Sequence, residues 1–163
     1  MQSNNLYSLA KSLFPINRSI TGEGVRETLF LLKEIVPELN VHKIKSGTEV
    51  FDWTIPKEWK VNNAWIETPE GKKICNFREN NLHLLSYSVP MDIKLDLSKL
   101  QNYLYSIPEK PDAIPYVTSY YNESWGFCLT DNERKNLKDG TYHVHIDSEL
   151  SNGILNYGEI KIE

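Results

Sequence analysis

VNNAWIETPEGKKICNF, residues 61–77, decides how the middle of this chain folds. Val61 to Thr68 and Lys73 to Phe77 flank Pro69-Glu70-Gly71, and a proline followed by a glycine between two such runs predicts a β-hairpin with a glycine-containing loop. Downstream, Glu79-Asn80-Asn81 supplies the next turn before a run from Leu82 to Ser88. Upstream, FDWTIPKEW (51–59) fits neither a helix nor a central strand, because Pro56 lacks an N–H and pushes Ile55 toward extended geometry. It reads as a turning, aromatic-rich connection whose tryptophans pin a bend.

Further toward the N-terminus the periodicity is helical. Leu6, Leu9, Ala10, Leu13 and Phe14 make one apolar stripe that must stop near Pro15. A second helix fits Glu23 to Val36, with Val25, Leu29, Leu32 and Ile35/Val36 as its buried stripe and Pro37 ending it. Thr21 is the expected N-cap, with Glu23 and Glu27 near the positive end of the helix dipole. Joined by Asn17-Arg18-Ser19-Ile20, the two helices are expected to pack together.

From Val41 onward strands and turns dominate. Val41 to Ile44 alternates and Ser46-Gly47 turns it. Leu97, Leu100 and Leu104 are spaced like a helix face over Ser98 to Tyr105, which Pro108 closes, and residues 108–115 are the most linker-like stretch. Thr130-x-x-Glu133 is a capping-box pattern opening a short helix that Asp139-Gly140 ends. Thr141 to Ser148 and Ile154 to Ile162 read as a final hairpin around Ser151-Asn152-Gly153. The expected fold class is α+β: two N-terminal helices, then a mixed, mostly antiparallel β region with short helices. Turn and proline content divide it into a helical segment (1–45), a β-rich segment (46–112) and an aromatic-rich segment with a short helix and hairpin (113–163).

The composition, with 163 residues, 40% hydrophobic and 25% charged, suits one soluble domain or one domain carrying an insert. A net charge of −4 gives no broad cationic footprint for nucleic acid or anionic lipid, and no apolar run reaches membrane-spanning length. Cys75 and Cys128 lie far apart, without C-x-x-C spacing and without a secretory leader ahead of them, so two reduced core thiols in a cytoplasmic protein are expected.

His143-x-His145-x-Asp147 is the sharpest metal-like pattern, since alternate strand residues project from one face. Tyr142, Val144 and Ile146 form the apolar face of the same strand, so the histidines read equally as its solvent side. No fourth ligand accompanies them, and no metal is assigned to this chain. His42 and His83 read as satisfied packing residues. No G-x-S-x-G elbow, P-loop or G-x-G-x-x-G turn occurs, and Cys128, among aromatics, reads as a buried thiol rather than a nucleophile. Two aromatic clusters remain: Phe51, Trp53 and Trp59; and Tyr116, Tyr120, Tyr121, Trp125 and Phe127, interleaved with Ser119, Asn122, Glu123 and Ser124. Aromatic walls with polar neighbours suit a peptide end group or a sugar, as well as loop anchoring.

Four ordered segments, FPINRSITGEGVRETL (14–29), SGTEVFDWTIPKEW (46–59), LLSYSVP (84–90) and TSYYNESWGFCLT (118–130), resemble the N-terminal part of a bacterial aminopeptidase-like family. Its members are often encoded among surface-polysaccharide biosynthesis genes and look like zinc aminopeptidases carrying an inserted β-rich domain of unknown role. The resemblance spans essentially the whole chain. It implies that the zinc-binding histidine and carboxylates lie in a downstream catalytic domain, the principal partner, so that zinc belongs to the longer protein and this chain alone is inactive. It asks for Tyr142, Ile146 and Asp147 in the strand containing the histidines, rather than for imidazoles. Trp125, Tyr120, Tyr121 and Trp53 are then candidates for a substrate-facing wall, with Arg18 and Asp52 as loop-fixing or ligand-orienting charges. The alternative is a non-catalytic module binding a glycan or peptide end through the aromatic clusters.

Overall fold

In the computed structural model, which describes residues 3–119 and 122–162, prolines and glycines stop the elements close to where the sequence places them. Helix α1 (Ser3–Leu13) ends before Pro15, and α2 (Glu23–Ile35) ends before Pro37. Strand β1 (Asn40–Lys45) is followed by two-residue strands β2 (Glu49–Val50) and β3 (Trp53–Thr54), then by the long β4 (Glu58–Glu67) and short β5 (Lys73–Ile74). Strand β6 (Met91–Asp96) leads into α3 (Leu97–Leu100), a 3₁₀ turn (Gln101–Tyr103) and β7 (Leu104–Tyr105). The chain closes with β8 (Phe127–Cys128), α4 (Asp131–Lys135), β9 (Thr141–Ser151) and β10 (Ile154–Glu159). The class is α+β, but with four helices among the described residues and strands interspersed between them. None of these helices is long and apolar enough to cross a membrane.

Two compact units result, one of Met1–Lys60 with Leu150–Glu163 and one of Val61–Glu149. In the first, β10 pairs antiparallel with β1, Lys45 opposite Ile154 and His42 opposite Tyr157. The hairpin expected between β9 and β10 is therefore replaced by a long-range pairing. Ser46 explains the choice: its N–H donates to the Gly153 carbonyl at 2.9 Å and its hydroxyl accepts from Gly153 N–H at 3.0 Å, holding the start of β10 beside the end of β1. Arg26 of α2 grips Glu58 of β4 through two hydrogen bonds of 2.7 and 3.1 Å, and Glu58 also accepts from the Ile154 N–H at 2.7 Å. One carboxylate thus ties a helix and two strands together.

The N-cap of α2 is Gly22 rather than Thr21. Gly22 holds φ +113°, a backbone that glycine tolerates, while Thr21 is buried and its hydroxyl donates to the Lys57 carbonyl at 3.0 Å. The stripe expected to be buried on α2 is only half-buried, with Val25, Leu29, Leu32 and Val36 partly covered and Ile35 exposed.

In the second unit the strands run in the order β5-β4-β9-β6. The opening hairpin forms as read: Ile66 pairs with Ile74, Thr68 N–H donates to the Lys72 carbonyl, and Gly71 takes φ +81° in the turn. Lys73–Ile74 is shorter than expected because Cys75 adopts φ +49° and leaves the ladder. Ala64 and Ile66 of β4 and Tyr142, Val144 and Ile146 of β9 are buried, joined in the core by Leu100, Leu104, Phe127 and Leu129. Complete burial of side chains such as Ile66, Phe127 and Leu129 contributes about 1.5–3 kcal/mol each. The helix expected over Ser98 to Tyr105 survives only as α3 and a 3₁₀ turn, because Leu104 and Tyr105 pair with Phe127 and Cys128 instead. The Thr130 capping box is complete, with Glu133 N–H donating to the threonine hydroxyl at 3.1 Å and Thr130 N–H to the Glu133 carboxylate at 3.0 Å.

Candidate functional site

The polar face of the second unit's sheet gathers its ionisable groups. Register alone brings them together: β6 pairs antiparallel with β9 so that Asp92 lies opposite His145 and Lys94 opposite His143. Asp92 accepts from His143 Nε2 at 2.6 Å and from His145 Nδ1 at 2.9 Å. An ionised carboxylate only accepts, so both ring nitrogens carry their protons toward it. Hydrogen bonds from His143 first, and then His145, hold the Asp92 carboxyl below the usual range. Trp65 of β4 stacks on the His145 ring at 4.9 Å and meets His143 edge-on at 5.1 Å, while Lys73 Nζ sits 4.2 Å from the Trp65 ring. The indole is therefore already engaged by an imidazole and an ammonium.

Asp147 does not join the histidines through this hub; its carboxylate accepts from Asn62 Nδ2 at 3.2 Å. No group of three or more His, Cys, Asp or Glu side chains among the described residues is arranged to hold a metal ion. Asp92 serves as the shared acceptor of both imidazoles, and no third ligand joins the two histidines among the described residues, so the donor set does not fit zinc. Chemically the cluster is a cross-strand clamp that also presents charge to solvent.

A second concavity in this unit has a volume of about 550 Å³. Its apolar lining includes Ile74, Cys75, Leu129 and Tyr142, and its charged lining includes Glu70, Lys72, Glu133 and Lys138. Burial pushes the Cys75 thiol far up, and burial also raises the Tyr142 phenol, whose O–H donates to the Lys138 carbonyl at 2.7 Å. Neither is ionised at neutral pH, so neither is a ready nucleophile. Cys128 behaves alike, its thiol pushed up to about 12 by burial.

The residues singled out from the sequence fall in different places. In the first unit, Arg18 is exposed and its Nη1 donates to the Leu13 carbonyl at 2.5 Å, satisfying the C-terminal end of α1. Asp52 is exposed in the turn between β2 and β3, next to a half-buried Trp53 and a fully exposed Phe51 with φ +55°. Trp59 is buried. In the second unit, Trp125 is buried and stacks on Tyr103 with centroids 3.9 Å apart and planes 9° from parallel. Tyr120 and Tyr121 lie outside the described residues. His83 donates from Nδ1 to the Cys128 carbonyl at 2.8 Å, and His42 pairs with Glu159 at 3.1 Å while stacking on Tyr157. Asp92, Trp65 and Lys73 were not foreseen as a cluster; alternation in the β4–β5 hairpin and in β6 was the signal, but only the register names the partners.

The domain family described as a domain of unknown function, DUF2172, matches residues 58–149, and the chain belongs to it. A protein of Clostridium acetobutylicum named "Putative polysaccharide biosynthesis protein with aminopeptidase-like domain" is 51% identical over 157 residues, which make up 96% of this chain and 36% of that protein. A crystal structure titled as a "putative peptidase" from the same organism matches with a TM-score of 0.90 and 50% identity, over 95% of this chain and 36% of that one. The chain thus spans about a third of the length of these relatives. The resemblance read from the four sequence segments is borne out.

Proposed function

We propose that the chain is the N-terminal, supporting portion of a zinc-dependent aminopeptidase-like hydrolase whose water-activating groups are supplied by the rest of a longer polypeptide. The observation that carries this reading is the 51% identity across nearly the whole chain to a protein named for an aminopeptidase-like domain, of which the match occupies only 36%. In this reading Arg18 and Asp52 fix loops of the first unit or orient a ligand there, Trp53 is offered to substrate, and Trp125, buried against Tyr103, braces the aromatic segment. The test compares the 163-residue chain with the complete Clostridium relative after zinc loading, using metal analysis and aminoacyl p-nitroanilides. Stoichiometric zinc and turnover are expected for the relative alone. Robust turnover by the shorter chain, unaffected by further purification, overturns the reading.

A second reading is favoured by the 550 Å³ cleft with its mixed apolar and charged lining: the second unit is a non-catalytic module that recognises a glycan or peptide end. Calorimetric titration with saccharides and short peptides tests it, and Lys72→Ala in the cleft lining should weaken whatever binds. A flat response across both ligand classes rejects it.

A further inference from the structure

Helices α1 and α2 of the first unit enclose a groove of about 520 Å³ lined by Leu6, Leu9, Leu31, Leu32, Ile35 and Val36. Ser8, Ser12 and Glu34 add two hydroxyls and a carboxylate to its lining. An amphipathic helix draws most of its stability from packing its apolar face, yet α2 has no fully buried residue, and Leu6 and Ile35 are 58% and 43% exposed. One side of α2 is covered within the unit: Leu29 approaches Gly158 of β10, where a Cβ would lie 3.0 Å from Leu29 Cδ2 and 2.8 Å from Leu39 Cδ1. Leu31 and Ile35 are on the helix surface turned away from that contact by the 100° step per residue. Thus, among the described residues, the side of the groove that carries Leu6 and Ile35 stays open to solvent.

We propose that this groove is the docking surface for the adjoining part of the longer polypeptide, entered by an apolar ridge with a basic residue placed to meet Glu34. The inference rests on the supporting role given above and adds the surface through which support is exerted. The length of chain in the relatives argues for this occupant, since nearly two thirds of each lies outside the match. A second copy of the chain is the weaker candidate: a two-fold contact sets the same patch against itself, and a groove facing a groove remains unfilled.

The experiment is hydroxyl-radical footprinting read by mass spectrometry on two intact proteins, the 163-residue chain and the complete Clostridium relative, with the mass of each in solution from light scattering. The expected result is a monomeric short chain in which Leu9, Leu31, Leu32 and Ile35 are oxidised several-fold faster than the aligned positions of the long relative. Exposed residues that do not line the groove, such as Tyr116 of the second unit, serve as the reference. Equal oxidation in both proteins overturns the proposal, as does a dimeric short chain with the groove protected. Activity is a separate readout: protection without turnover keeps this surface and removes the hydrolase reading, whereas turnover without protection does the reverse.

Discussion

Replacing Glu58 should loosen the first unit by an amount that its three contacts set. The carboxylate receives Arg26 Nη1 at 2.7 Å, Arg26 Nη2 at 3.1 Å and the Ile154 N–H at 2.7 Å, with the Glu58 side chain 17% and the Arg26 side chain 35% exposed. Exposed ion pairs are worth about 0–1 kcal/mol and breaking buried ones costs about 3–5 kcal/mol, so this half-buried fork falls at about 1–2 kcal/mol. Glu58→Gln keeps an oxygen for Ile154 and loses the charge, so it should cost that amount. Glu58→Ala also leaves the Ile154 N–H without its acceptor and should cost a further ~1–2 kcal/mol. Urea unfolding followed by circular dichroism measures both, and a cycle with Arg26→Gln isolates the pair. The Arg26 hydrogen bonds, ahead of the opposing effect of burial, depress the Glu58 carboxyl. A depressed carboxyl stabilises above its unfolded pKa, near 4.3, and loses that contribution as pH falls through the folded value. The wild-type advantage over Glu58→Gln must therefore start to shrink as pH falls through the unfolded value and be gone only below the depressed folded one. A coupling below ~0.3 kcal/mol at pH 7, or an alanine variant no worse than the glutamine one, refutes the argument.

Other substitutions read out other parts of the fold. Gly24→Ala should destabilise by about 1–3 kcal/mol despite alanine's better helix propensity, because the added Cβ would lie 2.0 Å from the Asn17 carbonyl oxygen; a raised melting temperature contradicts this. Asp92→Asn should flatten the acid side of the stability curve, since the wild-type carboxylate is depressed and its contribution is present above its unfolded pKa and lost below its folded one. An unchanged acid limb in urea titrations from pH 7 to 3 rejects the clamp. Cys75 and Cys128 should resist a chromogenic disulfide reagent at pH 8 in the native protein and react fully in denaturant, because burial raises both thiols. Labelling at the rate of free cysteine would show that the core is open.

Local chemistry was the legible part of the fold. The Pro69-Glu70-Gly71 turn, the Thr130 capping box and the C-terminal limits of α1 and α2 ahead of Pro15 and Pro37 each depend on residues a few positions apart, and each formed close to where the sequence placed it. Pairing was not legible. The short Ser151-Asn152-Gly153 connection argues for a local hairpin, and only the distant Ser46 and Glu58 reveal why β10 chooses β1. Thr21 has the chemistry of a cap but spends its hydroxyl on Lys57, a partner 36 residues away. The division into units falls inside β4 and β9, where neither proline nor composition marks it. At the polar face, alternation placed His143 and His145 together, while Asp92 became their common acceptor through a register that no single strand encodes.

Strands β4 and β9 are neighbours in the sheet, and Asn62 touches Asp147 across them. Residues 61–149 therefore begin and finish at almost the same point in space, like a bead whose thread enters and leaves by one hole. A host chain could acquire or discard such a cassette by joining two adjacent cut ends, without stretching the backbone on either side.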